Sequence, residues 1–318
     1  MAAMQLEPVT ITDAQTGATA QILSGFGFNC YRFRPAVGGE AFDVLWSEAG
    51  FESGEARPSH SGIPVLFPFP GRLRGSHLAY EGHTYPLGSD DGRGNAIHGF
   101  VLNRPWRIIE MLPHRTTGEF HASVDEPGLV KRWPADFRLT VTYELNGNTL
   151  SCQIEVQNPG PTRLPFGLGL HPYFQLPLGA GGRADDCRVT VPAAEYWELQ
   201  NMLPTGRRLR ADQRANLAGT TRFADMRLDD VFTGLTVADG VVRTTIEDPH
   251  TGRTLELTFD AAFRECVIYN PPHGEAVCIE PYTCAPDAYE LQATGIDAGL
   301  RLLEPGGQFR TRFEIRVT

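Results

Sequence analysis

The sequence predicts an all-β protein: a large antiparallel β-sandwich of two packed sheets, with few short helices. Three observations carry this. Apolar residues recur at every second position in several stretches, as in strands with one wet face and one buried face. No stretch sustains apolar residues at i, i+3, i+4 and i+7 over three turns between recognisable caps. The 34 glycines and 24 prolines among 318 residues are spread along the chain, so turns come too often for long helices.

In chain order, "LAYEGHTYPL" (78–87) reads as a hairpin, two β-prone runs around a Glu81-Gly82 turn. "FRLTVTYEL" sets Phe137, Leu139, Val141 and Tyr143 on one face. "TLSCQIEVQN" sets Leu150, Cys152, Ile154 and Val156 against Ser151, Gln153, Glu155 and Gln157. "GLGLHPYFQL" (167–176) reads as a buried or half-buried strand around His171, where an ionisable ring costs stability unless it is paired. In "AVCIEPYTCAPDA" an apolar run from Ala276 to Ile279 ends at Glu280. "QFRTRFEIRV" places Phe309, Phe313, Ile315 and Val317 opposite Arg310, Arg312, Glu314 and Arg316. Residues 87–96, 178–186 and roughly 204–225 read as loops, the last with a short helix. No composition shift, internal repeat, low-complexity tract or long charge run divides the chain. Residues 1–318 therefore read as a single sandwich domain, long enough for a sizeable core.

Composition narrows the function. With 38 Asp and Glu against 28 Lys and Arg, the formal charge is −10. That balance argues against nucleic acid or an anionic membrane as partner, because both reward basic patches. A small neutral molecule fits it. No apolar run approaches the roughly 20 residues of a membrane span. The opening "MAAMQLEPVTITDAQTG" lacks the basic and apolar regions of a secretory signal. The cysteines Cys30, Cys152, Cys187, Cys266, Cys278 and Cys284 are scattered, with no C-x-x-C and no zinc-site spacing. A cytoplasmic protein with free thiols, no metal and no cofactor is the expectation. Assembly state is not legible.

There is no G-x-S-x-G, no G-x-x-x-x-G-K-[ST] and no H-E-x-x-H. Polar groups set among apolar ones occur in five segments. They are "GIPVLFPFPGRLRG" with Arg72, "NAIHGF" with His98, "GLGLHPYFQL" with His171, "RLDDVFTGL" with Asp229 and Asp230, and "AVCIEPYTCAPDA" with Glu280. Taken singly, each has a bland reading. Arg72 reads as a solvated edge residue, His98 as a turn-stabilising ring, His171 as a satisfied core histidine and the paired acids as an ordinary strand start. Glu280 must either point to solvent or be paired, because burying it alone costs several kcal/mol.

Read in order, "GIPVLFPFPGRLRG", "IHGF…RPW", "GLHPYFQL", "LDDVF" and "CIEPYT" resemble the serial motifs of the aldose 1-epimerase (mutarotase) family, from Gly62 to Pro286. The resemblance implies a galactose mutarotase-like super-sandwich with a sugar cleft on one sheet. It implies Glu280 as general base, His171 as general acid, and Arg72, His98 and Asp229 as ligands of sugar hydroxyls. The chain departs from the family's common pattern at Gly71, Leu170 and Asp230, where Asn, Asn and His are usual. These departures bear on the substrate more than on the reaction. Tyr173, Phe69, Trp106 and Tyr282 are candidate sugar platforms, with core packing the preferred reading of Phe69 and Trp106.

The implied reaction interconverts the anomers of a free aldohexose of galactose or glucose type. One proton leaves the anomeric hydroxyl, one arrives at the ring oxygen, the open aldehyde rotates, and closure reverses the roles. A carboxylate and an imidazolium do this without metal or cofactor. A bell-shaped pH profile follows, its acid limb expected from Glu280 and its alkaline limb from His171. Four alternatives compete. They are a hexose-6-phosphate 1-epimerase with Arg74 and Arg93 on the phosphate; a non-catalytic carbohydrate-binding sandwich; a glycosidase using Glu280 with Asp229; and a metal enzyme built on His98, His171 and Glu280.

Overall fold

The computed structural model describes residues 7–88 and 90–318. Residues 1–6, which open the stretch examined for a signal, and Ser89, in the 87–96 loop, lie outside the described residues. Two large antiparallel sheets dominate. The longest alternating stretches fall in a nine-stranded sheet. Its order is Arg107–Leu112, Arg115–His121, Arg138–Asn146, Thr149–Gln157, Gln308–Val317, Arg253–Asp260, Val241–Asp248, Arg188–Thr190 and Thr221–Arg222. Register keeps the apolar positions together: Val141 faces Ile154, and Cys152 faces both Tyr143 and Phe313. A one-residue slip would turn each of these outward, so burial of one face fixes the pairing.

The second, eight-stranded sheet runs Leu203–Arg210, Ala193–Gln200, Asp229–Leu235, Glu265–Tyr269, Ala276–Tyr282, Gly169–Leu170 and Val65–Leu66. Its eighth strand, Tyr173–Gln175, pairs separately with Ala276–Tyr282. The period of two divides its side chains between two environments. Phe232, Cys266, Ile268, Val277 and Ile279 join the inter-sheet core with Val141, Ile154, Leu257 and Phe313. The alternate positions, Asp229, Val231, Val267, Tyr269, Cys278, Glu280 and Tyr282, belong to the other face. Part of that face is covered by a smaller cluster in which Val231, Val267 and Tyr282 meet Ala288 and Leu291 of the Ala288–Ala293 helix. The rest is open.

The predicted hairpin is present as His77–Tyr80 and His83–Pro86, with Glu81 and Gly82 both at positive φ, 45° and 78°. Residues 178–186 form a loop ending in a short 3-10 turn, Ala184–Asp186. The 204–225 reading needs correction. Leu203–Arg210 is a strand, paired with Ala193–Gln200, and short 3-10 turns follow it. It sits at the sheet edge, where Arg207, Arg208 and Arg210 replace the apolar alternation on which the sequence reading relied. Among the described residues no helix is long and apolar enough to cross a membrane. All six cysteines are buried free thiols.

Candidate active site

The five residues singled out in the sequence, Arg72, His98, His171, Asp229 and Glu280, line one cleft of about 250 Å³ on the open half of the eight-stranded sheet. Glu280 lies inside its strand rather than at its end, since the strand continues to Tyr282 and every residue of it is buried. The Tyr282 hydroxyl donates to Glu280 Oε2 at 2.6 Å, and Glu280 Oε1 stands 3.4 Å from His171 Nε2. The buried carboxylate therefore has the partners that its burial demands.

His171 occupies a break in the predicted strand. Gly169–Leu170 ends before it, and Pro172, which has no amide to donate, separates it from Tyr173–Gln175. The His171 amide donates to the Pro64 carbonyl at 3.1 Å and the Tyr173 amide to the Gly62 carbonyl at 2.9 Å, so the break is tied down on both sides. The imidazole stacks on Tyr173 with 4.8 Å between centroids and 2° between planes. His98 meets it edge-on at 5.5 Å. Among the described residues, the buried Nδ1 atoms of His98 and His171 have no side-chain hydrogen-bond partner.

His98 is held at φ 62°, its amide bonded to the Gly71 carbonyl at 2.8 Å. Arg72 Nε donates to Asp91 Oδ2 at 3.2 Å, and Asp91 in turn accepts the amides of Arg93 and Asn95 and the Asn95 side chain. Those hydrogen bonds overcome the effect of burial and keep the Asp91 carboxyl below its usual range. Asp229 opens its strand opposite Tyr269 and faces the cleft.

Burial sets the charge states. It pushes the Glu280 carboxyl well above the usual range; Asp229 adds to the rise, while Tyr282 and Arg72 oppose it. Burial likewise pushes His171 well below the ordinary imidazole value, helped by His98 and His60. His98 is driven down to about 3 by burial and the Arg72 guanidinium. Desolvation in the cleft, reinforced by Asp230, also raises Asp229. The microscopic directions for Glu280 and His171 thus reverse the order expected from sequence. At 3.4 Å the two groups titrate as a pair.

The departures from the family pattern have local explanations. Gly71 sits at φ 62°, and a Cβ there would come within 2.8 Å of Pro286 Cγ. Leu170 is fully buried in the inter-sheet core. Asp230 turns to Arg214, 2.8 Å away, rather than to the cleft. Of the candidate platforms, Phe69 and Trp106 are core residues: Phe69 stacks on Trp133 and Trp106 on Phe28. Tyr173 backs His171, and Tyr282 supplies a hydroxyl. Arg74 is engaged by Asp287 at 3.1 Å, and Arg93 does not line the cleft.

Asp91, His60 and Tyr269 also line the cleft and were not singled out. The Asx- and glycine-rich "LGSDDGRGNA" carried a cue to the first, since Asp and Asn there cap their own backbone. The ligand atoms that converge most closely belong to His171, Cys278 and Glu280, and His98 is not among them. This corrects the donor set of the metal alternative. A larger hollow of about 900 Å³ lies on the outer face of the nine-stranded sheet, but none of these residues lines it and its charges include internal pairs such as Arg243 with Glu256.

A family model described as aldose 1-epimerase matches residues 9–316. The Escherichia coli K12 protein YihR is 27% identical over 254 residues, covering 79% of this chain and 77% of its own length. A galactose mutarotase-like protein from Clostridium acetobutylicum superposes with a TM-score of 0.84 at 22% identity, over 99% of both chains. Galactose 1-epimerase from Lactobacillus acidophilus gives a TM-score of 0.74 at 18% identity, over 98% of this chain and 94% of that one. The chain belongs to the aldose 1-epimerase family and is an isomerase of the mutarotase type.

Proposed function

We propose that the protein interconverts the α and β anomers of a free aldohexose of galactose or glucose type, with Glu280 and His171 moving the two protons. The observation that carries this is the 3.4 Å carboxyl–imidazole pair on the floor of a cleft of about 250 Å³. Clefts for drug-sized ligands run to roughly 300–1,000 Å³, so this space suits a single sugar ring.

Because burial raises Glu280 and lowers His171, a proton shared by the pair favours the carboxyl over the imidazole before sugar binds. Moving it to His171 leaves the net charge unchanged and yields the carboxylate–imidazolium form. Glu280 then takes the anomeric proton while His171 protonates the ring oxygen, and closure on the other face returns both. Each group contributes about 10²–10⁴-fold, ample for a reaction that already proceeds in water. Tyr282 holds the carboxylate and Tyr173 the imidazole plane. Arg72, fixed by Asp91, together with His98 and Asp229, engages hydroxyls that do not react.

The acidic balance of the cleft, with Asp90, Asp91 and Asp229 beside Arg57 and Arg72, favours a neutral sugar over a hexose phosphate. Polarimetry on fresh α-galactose, α-glucose and their 6-phosphates tests the reading. Acceleration of the free sugars is expected; acceleration of the phosphates alone would overturn it.

A further inference from the structure

Cys278 lies two residues before Glu280, on the same side of its strand. Its backbone partners are Tyr173 on one flank and Tyr269 on the other, so the thiol sits under the aromatic wall that carries His171. Proton transfer has no use for a thiol there. Yet the sulfur, a ring nitrogen of His171 and a carboxylate oxygen of Glu280 all lie within 4.8 Å of one another.

In tetrahedral zinc, bonds of about 2.0–2.3 Å put neighbouring ligand atoms roughly 3.3–3.6 Å apart. The 3.4 Å between His171 Nε2 and Glu280 Oε1 already has that spacing. Bringing the sulfur in takes a side-chain shift of roughly 1 Å to satisfy the same bond lengths. A dication held by a thiolate, a carboxylate and a neutral imidazole is net neutral, which suits a buried floor. With three protein ligands, the fourth position of a tetrahedral zinc is left to a ligand from outside the chain. A sulfur ligand selects zinc over magnesium or calcium. Among the described residues no carboxylate or other side chain hydrogen-bonds His171 Nδ1 to orient it as a resident zinc ligand, so the geometry describes a reversible site rather than a cofactor's.

We propose that His171, Cys278 and Glu280 form a zinc site in the floor of the cleft, where the cation excludes sugar by occupying the proton-transfer pair. Inhibition as the consequence rests on the proposed function; binding rests on the ligand geometry alone.

Cobalt(II) added to the metal-free protein reads the binding directly. A near-ultraviolet thiolate-to-cobalt charge-transfer band and the strong visible absorption of four-coordinate cobalt are expected. Both should saturate at one ion per chain and disappear when Zn²⁺ displaces cobalt. Cys278→Ser, with its fold checked by circular dichroism, loses the charge-transfer band. In polarimetry Zn²⁺ slows mutarotation, Mg²⁺ does not, and a chelator restores the rate. Cys278→Ser and Cys278→Ala then need about tenfold more Zn²⁺ or beyond for half-inhibition, the scale on which metal sites respond to lost support. No charge-transfer band at saturating cobalt, or a band that survives in Cys278→Ser, overturns the site. An intact cobalt spectrum in a protein without mutarotase activity would support the site and sink the catalytic reading.

Discussion

At the residue scale, Glu280→Gln separates chemistry from packing. Glutamine keeps the size and can still accept the Tyr282 hydrogen bond, but it is no base. A fall in kcat/KM of about 10²–10⁴ with unchanged circular dichroism and near-normal sugar affinity is expected. His171→Asn should lose a comparable factor. The pH profile follows from the two directions of shift. His171 is lowered, so the second proton is added only on the acid side of the ordinary imidazole value of about 6.5. Glu280 is raised, so the last proton leaves on the alkaline side of the usual carboxylate range. A bell whose acid limb lies below about 6.5 results, both limbs belonging to the pair. Tyr282→Phe removes a hydrogen bond that lowers Glu280, so the alkaline limb should move up. An unmoved limb would detach Tyr282 from the titration. Arg72→Ala and Asp91→Asn should act together, mainly on KM, since Asp91 holds the arginine in place. If kcat falls as far as in Glu280→Gln at constant KM, these two residues belong to the chemistry instead.

At the scale of elements, the site depends on irregular backbone supported by regular strands. His98 is followed by Gly99 at φ 72°, where a Cβ would stand 2.0 Å from the Phe67 carbonyl oxygen. No side-chain rotation relieves a clash with backbone. Gly99→Ala should therefore cost at least about 1–3 kcal/mol in urea unfolding, and it should weaken sugar binding by displacing His98. Gly128→Ala, where a Cβ meets nothing within 4 Å, is the matched control and should be near neutral. Equal stability of the two variants would contradict this account of the loop. The arginine-bearing Leu203–Arg210 strand shows the opposite case, in which charge at a sheet edge discourages pairing with another chain and hides a strand inside a polar stretch.

Across the whole molecule, pH should act on stability through a carboxyl that does not line the cleft. Glu265 is completely buried, accepts the Trp197 indole at 2.9 Å and is pushed by burial from 4.5 up to about 7. An acid raised in the folded state binds more protons folded than unfolded between those values. Its contribution is therefore fully present below about 4.5 and is lost as pH rises through 7. The interval corresponds to about 3 kcal/mol. Glu265→Gln, which retains an acceptor for Trp197, should flatten the decline of Tm between pH 5 and pH 8, while wild type shows the slope. Parallel curves for the two proteins would assign the slope to other groups, such as Glu280.

Alternation along the chain determined the strands, because each has one wet and one dry face; the stretches at 138–146, 149–157 and 308–317 were legible from periodicity alone. The serial motifs also named five residues that share one cleft. Three features needed tertiary structure. The Leu203–Arg210 edge pairs through backbone, which no side-chain pattern encodes. Asp91 reaches Arg72 from a loop 19 residues away, and Tyr173 and Tyr269 meet Cys278 only through sheet register. The charge states were decided there too. Sequence supplies a glutamate and a histidine with ordinary affinities for protons, but desolvation depends on what the fold stacks around them. Only the packed sheet raises one and lowers the other.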